Sequence, residues 1–128
     1  MQRQRESLTG LRILVAEDET FVVMDIEDML RELQCEIVGP VSTVEEAVAA
    51  VRENPIDGAL LDLNLHGQTI LPAAEELVRR AVPFLLVTGY ASRHGDVSAL
   101  RDAPRLKKPF SLDDLRAAMH EVFIQRAA

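Results

Sequence analysis

Short apolar runs alternate with stretches of helical periodicity along the chain, and this alternation limits the possible folds more than any other feature of the sequence. Five runs have the length and composition of buried strands. The predicted strands are 11–16, 37–39, 58–62, 82–90 and 106–107. The stretches between and after them repeat apolar residues every three or four positions, as one face of a helix does. The predicted helices are 20–33, 42–51, 70–80, 91–104 and 111–123.

This order of elements predicts an α/β fold, with a doubly wound five-stranded parallel sheet and helices on both faces. Pro40 is expected to close the second strand. Ser42 or Thr43 offers a cap for the second helix and Ser111 for the last, each with an acidic residue three positions on. The third helix is expected to bury Leu71, Ala74, Leu77 and Val78, and Met24, Met29 and Met119 are expected to fill the core.

Composition restricts the classes of protein that this chain can represent. Its 128 residues fit one domain. A formal net charge of -7 argues against a nucleic-acid-binding surface, which needs a basic face. The single cysteine, Cys35, excludes an intramolecular disulfide and is expected to be a small apolar filler in a reduced cytoplasm. No apolar stretch reaches the roughly 20 residues needed to span a membrane. Residues 1–9 are expected to form a flexible tail ahead of a domain at 10–126.

Polar side chains stand at the carboxyl ends of four predicted strands. Asp62 is the most constraining, because it follows an apolar run and a buried carboxylate is unfavourable unless it is paired or binds a metal. The others are Glu17, Asp18 and Glu19 after the first strand, Thr88 at the fourth and Lys108 after the fifth. Alone, Asp62 could equally cap a turn, and Glu19 is expected in a solvated turn. Functional crevices of open parallel sheets lie at this edge, so the set predicts an acidic pocket there.

The chemistry of that pocket follows from its charges. Neighbouring carboxylates disfavour each other's ionisation, and a divalent cation that prefers oxygen ligands, such as Mg²⁺, relieves the repulsion. One carboxylate is then free to act as a nucleophile, and carboxylates are known to form aspartyl-phosphates. A phosphoryl group needs its oxygens neutralised during transfer. Mg²⁺, the Lys108 ammonium group and the Thr88 hydroxyl would each supply one contact.

Four motifs at these strand ends, LVAEDE, LLDLNL, LLVTGY and LKKPF, resemble those of response-regulator receiver domains, the phosphoacceptor half of two-component signalling. The resemblance covers nearly all of residues 10–126 and implies a flavodoxin-like strand order, 2-1-3-4-5. It implies that Asp62 is phosphorylated, that Thr88 is the switch hydroxyl and that Lys108 is the lysine of the site. The implied metal ligands are Glu17 (mainly through water), Asp18, Asp62 and the backbone carbonyl of Asn64.

The chain departs from the receiver pattern at two places. Many receivers carry a proline a few residues after the phosphoacceptor, where this chain has the loop LNLHGQTILP. The second departure is the more serious. Three residues before Lys108, where receivers usually carry a switch aromatic, stands Arg105, so a rotating ring cannot transmit the signal there. The segments DLNLHG and PFLLVTGY are similar to a receiver subgroup known by its F-A-T-G-U-Y motif, which lacks that aromatic and pairs with kinases of the HWE type. Tyr90 either packs at the strand end or overhangs the phosphoryl site. His66, four residues after Asp62, is expected to be a solvated polar residue.

The resulting hypothesis is a single-domain response regulator that accepts a phosphoryl group from a histidine kinase, for which the subgroup resemblance implies the HWE type, or from a histidine phosphotransfer protein. Since the chain ends at Ala128, no output domain is expected, and the signal would pass through segment 91–104 to a downstream protein, with neither nucleic acid nor membrane involved. The alternative is a receiver-fold binding module that acts without phosphorylation. An enzyme is not expected, because a hydrolase would need a second carboxylate where Asn64 stands.

Overall fold

The computed structural model of the chain describes residues 7–89 and 98–124. Its main sheet has five strands: β1 (Arg12–Ala16), β2 (Glu36–Val41), β3 (Gly58–Asp62), β4 (Phe84–Thr88) and β5 (Arg105–Lys107). The strands lie in the order β2-β1-β3-β4-β5, and every neighbouring pair is parallel. The helices described are α1 (Thr20–Glu32), α2 (Val44–Glu53), α3 (Leu71–Arg79) and α4 (Leu112–Phe123). The predicted fold class and strand order are confirmed.

Each face of the sheet has its own apolar core, because alternate residues of a strand point to opposite faces. Ile13 and Val15 of β1 pack with buried residues of α1 and α4 on one face. Leu14 and Ala16 pack with buried residues of α2 and α3 on the other. The central strands are therefore covered on both sides, as expected for a parallel sheet.

The caps of two helices follow the sequence signals. Thr43, one of the two candidates for α2, accepts a hydrogen bond from the Glu46 backbone N–H, and the Glu46 side chain accepts one from the Thr43 N–H. Ser111 and Asp114 form the same reciprocal arrangement at the start of α4. Both boxes satisfy N–H groups that an uncapped helix would leave without partners.

The second strand is longer than predicted. Pro40 does not end it, and β2 continues to Val41. The pairing of β1 with β2 shifts between Leu14 and Ala16, next to Gly39, whose φ of +92° lies in the region that glycine favours. Because β2 is an edge strand, a residue without an N–H is tolerated at such an irregularity.

The expected fourth helix, 91–104, lies partly outside the described residues, which resume at Ser98. Within 98–104 the chain forms one 3-10 turn, Ser98–Leu100, and no α-helix. Leu100, one of the two predicted apolar anchors, is buried in the core beside α2 and α3. The other, Val97, is not among the described residues.

The chain before β1 contacts the core. Leu8 is buried in the core on the α1 and α4 face, and its carbonyl accepts a hydrogen bond from the Cys35 Sγ at 3.3 Å. Burial raises the pKa of the Cys35 thiol to about 11, which keeps it protonated and unreactive at neutral pH. Residues 1–6 lie outside the described part. Across residues 7–89 and 98–124, no helix is both long and apolar enough to cross a membrane.

Two of the expected core positions are wrong. Val78 on α3 is 67% exposed and Met24 on α1 is 52% exposed. On α3 the buried face instead includes Glu76, which is 6% exposed. Apolar spacing alone predicts that Val78 faces the core. In α3 the Glu76 side chain faces α2 instead, and Val78 faces solvent.

Glu76 is buried because three arginines surround its carboxylate. Arg79 of α3 and Arg80, directly after it, bind the two carboxylate oxygens, and Arg52 of α2 lies 3.5 Å from Oε1. The hydrogen bonds from Arg79 and then Arg80 lower the pKa of Glu76 to about 2. The cluster ties α2 to α3 at the rim of their apolar core.

Replacing Glu76 by glutamine tests this cluster. The pKa of about 2 in the folded chain lies below the ordinary value of 4.5, so the ionised carboxylate stabilises folding above pH 4.5 and this contribution disappears as the pH falls toward 2. We expect Glu76→Gln to be less stable than the parent at pH 7, with the difference narrowing below pH 4.5. Urea unfolding across this pH range measures it, with the exposed Glu75→Gln as control. A difference that is the same at pH 7 and pH 3 would contradict the assignment.

Candidate functional site

The carboxyl ends of four neighbouring strands meet at one edge of the sheet. Backbone pairing sets the ends level: Ala16 of β1 pairs with Leu61, Asp62 of β3 pairs with Val87, and Thr88 of β4 pairs with Lys107. The residues that directly follow β1 and β5 therefore flank Asp62 from either side. The predicted crevice is formed by this register.

Lys108 is the residue that joins the strand ends. Its Nζ lies 2.7 Å from Glu17 Oε1 and 3.5 Å from Asp62 Oδ2. Its backbone N–H donates to the Thr88 carbonyl oxygen at 2.7 Å. Burial lowers the pKa of Lys108, but the hydrogen bond to Glu17 and the charge of Asp62 outweigh burial and leave the pKa raised overall. The ammonium group is therefore charged at neutral pH, and it faces two carboxylates.

Glu17 is a fully buried charge with a complete set of partners. Its side chain is 0% exposed, and one oxygen accepts from Lys108. The other oxygen, Oε2, accepts from the backbone N–H groups of Asp18 and Glu19, each at 3.1 Å. Pairing and hydrogen bonding of this kind are what allow a carboxylate to remain ionised away from water. The turn after β1 is thus folded around the Glu17 side chain.

Asp18 is held by His66, which the sequence pattern predicts to be only a solvated polar residue. The backbone N–H of His66 donates to Asp18 Oδ2 at 2.9 Å, and this bond is the largest cause of the lowered pKa of Asp18. The His66 ring also approaches, with Nδ1 3.9 Å from the same oxygen. His66 lies at the tip of a small hairpin, between the short strands Asn64–Leu65 and Gln68–Thr69, with a φ of +50°. The only sequence signal for this contact is the turn-forming Gly67 beside it.

The electrostatics of Asp62 reflect its acidic neighbours. Burial, followed by the hydrogen bond and the negative charge of Glu17, raises the pKa of Asp62 to about 7, although the charge of Lys108 opposes the rise. Oxygen atoms of Glu17, Asp18 and Asp62 lie within 4.8 Å of one another. Three clustered carboxylates are the donor set of a hard divalent cation, and they fit Mg²⁺. A cation bound among them would favour the ionised form of Asp62.

The remaining predicted residues are placed as follows. Thr88 is buried at the end of β4, beside the strand that ends in Asp62. Asn64 is exposed, two residues past Asp62, where its backbone pairs with Thr69. Tyr90 lies outside the described residues. The assigned roles of Glu17, Asp18, Asp62, Asn64, Thr88 and Lys108 stay predictions. The side chains of Glu17, Asp18, Asp62 and Lys108 are joined by ion pairs or by the carboxylate cluster, and Thr88 contacts Lys108 through its backbone carbonyl.

The prediction that Glu19 lies in a solvated turn is only partly correct. Its side chain is 66% exposed, yet Glu19 Oε1 lies 3.5 Å from Lys108 Nζ. The lysine therefore has three carboxylates around it. The sequence places Glu19 next to Asp18 but does not show which way the turn after β1 directs it.

Comparison with known proteins is consistent with this geometry. The family profile described as the response regulator receiver domain matches residues 13–120. PdtaR, a transcriptional regulatory protein of Mycobacterium tuberculosis, is 36% identical over 112 residues, which are 84% of this chain and 54% of PdtaR. The phyllosphere-induced regulator PhyR of Methylorubrum extorquens is 30% identical over 91% of this chain and 45% of PhyR. The chain thus spans about half the length of these curated relatives.

Two solved structures are similar to this chain in fold and in sequence. The solution structure of SdrG from Sphingomonas melonis Fr1 has a TM-score of 0.77 and 41% identity, covering 86% of this chain and 93% of that one. The receiver domain of sensor histidine kinase PA1611 from Pseudomonas aeruginosa has a TM-score of 0.75 and 28% identity, covering 87% and 96%. Its crystal structure has a magnesium ion coordinated in the active site cleft.

Asp18→Asn tests the cation site. The change keeps the shape of the side chain but removes one negative charge from the carboxylate cluster. We expect Mg²⁺ affinity to fall by at least about tenfold, the order expected when a charge beside a cation is lost. A titration followed by backbone amide NMR shifts measures it. Asp25→Asn, which removes an exposed carboxylate from α1, is the matched control. Equal affinity in the two variants would show that Asp18 does not bind the ion.

Proposed function

Since the chain belongs to the response regulator receiver domain family, we propose that it is a phosphoacceptor of two-component signalling, with Asp62 as the residue that receives the phosphoryl group. The observation that carries this proposal is the position of the Lys108 ammonium group, 2.7 Å from Glu17 and 3.5 Å from Asp62, two members of the carboxylate cluster that also includes Asp18. A strand-end aspartate that only capped a turn would have no reason to share a lysine with a second, fully buried carboxylate.

The proposed reaction is an in-line transfer. An oxygen of the ionised Asp62 attacks the phosphorus of a phosphohistidine, an O–P bond forms, and the N–P bond breaks with the electron pair returning to the imidazole. The ammonium group of Lys108 neutralises charge on the transferred group, and the Thr88 hydroxyl contacts another of its oxygens. Mg²⁺, when bound, supplies further charge neutralisation, held by Asp18, Asp62, the backbone carbonyl of Asn64 and, through water, Glu17.

The donor is proposed to be a histidine kinase, with the HWE type as the candidate class, or a histidine phosphotransfer protein. The similarity of DLNLHG and PFLLVTGY to the F-A-T-G-U-Y subgroup supports this choice. Phosphorylation adds charge and acceptor oxygens next to Lys108 and Thr88, so their side chains are the first to respond. The signal is proposed to reach a downstream protein by direct contact.

Enzymatic turnover is not proposed beyond slow self-hydrolysis of the phosphoryl group. A hydrolase would need an acid or base two residues after the nucleophile, and Asn64 at that position cannot transfer a proton in this way. The Asn64 side chain is exposed, so it does not shield Asp62 from water.

Phosphorylation of Asp62 is tested with acetyl phosphate as a small phosphodonor. We expect the chain to gain the mass of one phosphoryl group in the presence of Mg²⁺, and to gain none after chelation with EDTA. Asp62→Ala should abolish the gain, whereas Asp113→Asn, at an exposed position of α4, should not change it. Intact-mass spectrometry within minutes of mixing measures all four samples. No gain in the parent chain would favour the alternative, a receiver-fold module that acts without phosphorylation.

A further inference from the structure

Arg105 occupies the strand position at which receivers usually carry the switch aromatic, and it is bonded to the chain that precedes it. Its Nη2 donates to the Leu100 carbonyl oxygen at 2.8 Å and to the Arg101 carbonyl oxygen at 3.3 Å. These are carbonyls at the end of the 3-10 turn, where backbone oxygens lack partners within the turn. A guanidinium group that donates to two of them makes charge-assisted hydrogen bonds.

One backbone hydrogen bond joins the same stretch to the sheet, from the Leu86 N–H of β4 to the Pro104 carbonyl oxygen at 2.9 Å. A second bond lies within the stretch, from the Ala103 N–H to the Leu100 carbonyl oxygen at 3.2 Å. The Leu100 side chain is 1% exposed, in the core with α2 and α3. Residues 100–104 are therefore held at their start by the buried Leu100 side chain and by Arg105, and at their end by the bond at Pro104.

Arg105 also pairs across the sheet with Leu86, two residues before Thr88. The guanidinium group thus connects residues 100 and 101 to the part of the sheet that carries Thr88 and Lys108. From these contacts we infer that Arg105 is a positioning residue, which keeps residues 100–104 fixed to the sheet in both states of the site. This inference rests on the proposed function, because it concerns the response to phosphorylation.

The inference changes the expectation drawn from the sequence. Segment 91–104 was expected to respond to phosphorylation as a whole, since its helical signal is weak. With Arg105 in place, the responding surface ends before Leu100. Without the guanidinium group, the response to phosphorylation would extend to Ala103. The Ala103 N–H donates to the Leu100 carbonyl oxygen, which also accepts the hydrogen bond from Arg105.

Amide hydrogen exchange of the full chain, read by mass spectrometry over 100–104, tests the inference. The samples contain Mg²⁺ with or without beryllofluoride, a stable mimic of the aspartyl phosphate. In the parent chain, we expect beryllofluoride to leave exchange in this stretch unchanged. In Arg105→Met, which keeps length but donates no hydrogen bond, exchange should be about tenfold faster, and beryllofluoride should change it at least twofold further. Arg101→Met, which removes an exposed guanidinium group and keeps the backbone carbonyl, should behave as the parent.

The possible outcomes distinguish a failure of this inference from a failure of the proposed function. A parent chain whose exchange over 100–104 shifts with beryllofluoride overturns the inference but leaves the proposed function intact, and so does an Arg105→Met variant that is indistinguishable from the parent. A parent that neither binds beryllofluoride nor gains a phosphoryl group overturns both. If Arg105→Met only loosened the local structure, exchange in the variant would be faster by the same factor with and without beryllofluoride. That result would also overturn the inference. If Arg105→Met does not fold, Arg105→Lys, which keeps the charge and one donor group, gives the same comparison with a smaller effect.

Discussion

The contact between the Lys108 ammonium group and the Glu17 carboxylate, 2.7 Å apart, is the interaction on which the strand-end site depends. Two of the parallel strands, β1 and β3, bring acidic residues to one edge, and like charges there oppose each other. A single cation between Glu17 and Asp62 offsets part of that repulsion, while two backbone N–H groups satisfy the rest of Glu17. Removing one partner of such a buried pair leaves an uncompensated charge, which typically costs about 3–5 kcal/mol.

The sheet fixes the relative positions of Glu17 and Lys108, which make this contact. The register of β1, β3, β4 and β5 is fixed by backbone hydrogen bonds and by two apolar cores, one on each face. Glu17 and Lys108 are 91 residues apart in sequence, and they meet because each directly follows a strand of the same sheet. Neighbouring positions on flexible loops would not hold a carboxylate and an ammonium group in this geometry away from water.

The sequence predicted those features that follow from periodicity and strand ends. The sheet, the two capping boxes and the meeting of Glu17, Asp18, Asp62 and Lys108 are of this kind, whereas the strand order was implied by the resemblance to receiver domains. It did not predict features that depend on the direction of one side chain or turn. Three arginines make it favourable to bury Glu76 rather than Val78, and a turn with positive φ brings the His66 N–H to Asp18. Partners that are distant in sequence leave no periodic signal.

The backbone hydrogen bond from Lys108 to the Thr88 carbonyl, described above at 2.7 Å, has a mechanical consequence. It extends the ladder between β4 and β5 by one rung, at the level of the site itself. The two strands cannot slide past each other without breaking it. A change at Asp62 that leaves this bond intact would therefore not shift β5 along β4, and between these two strands only the side chains would be free to move.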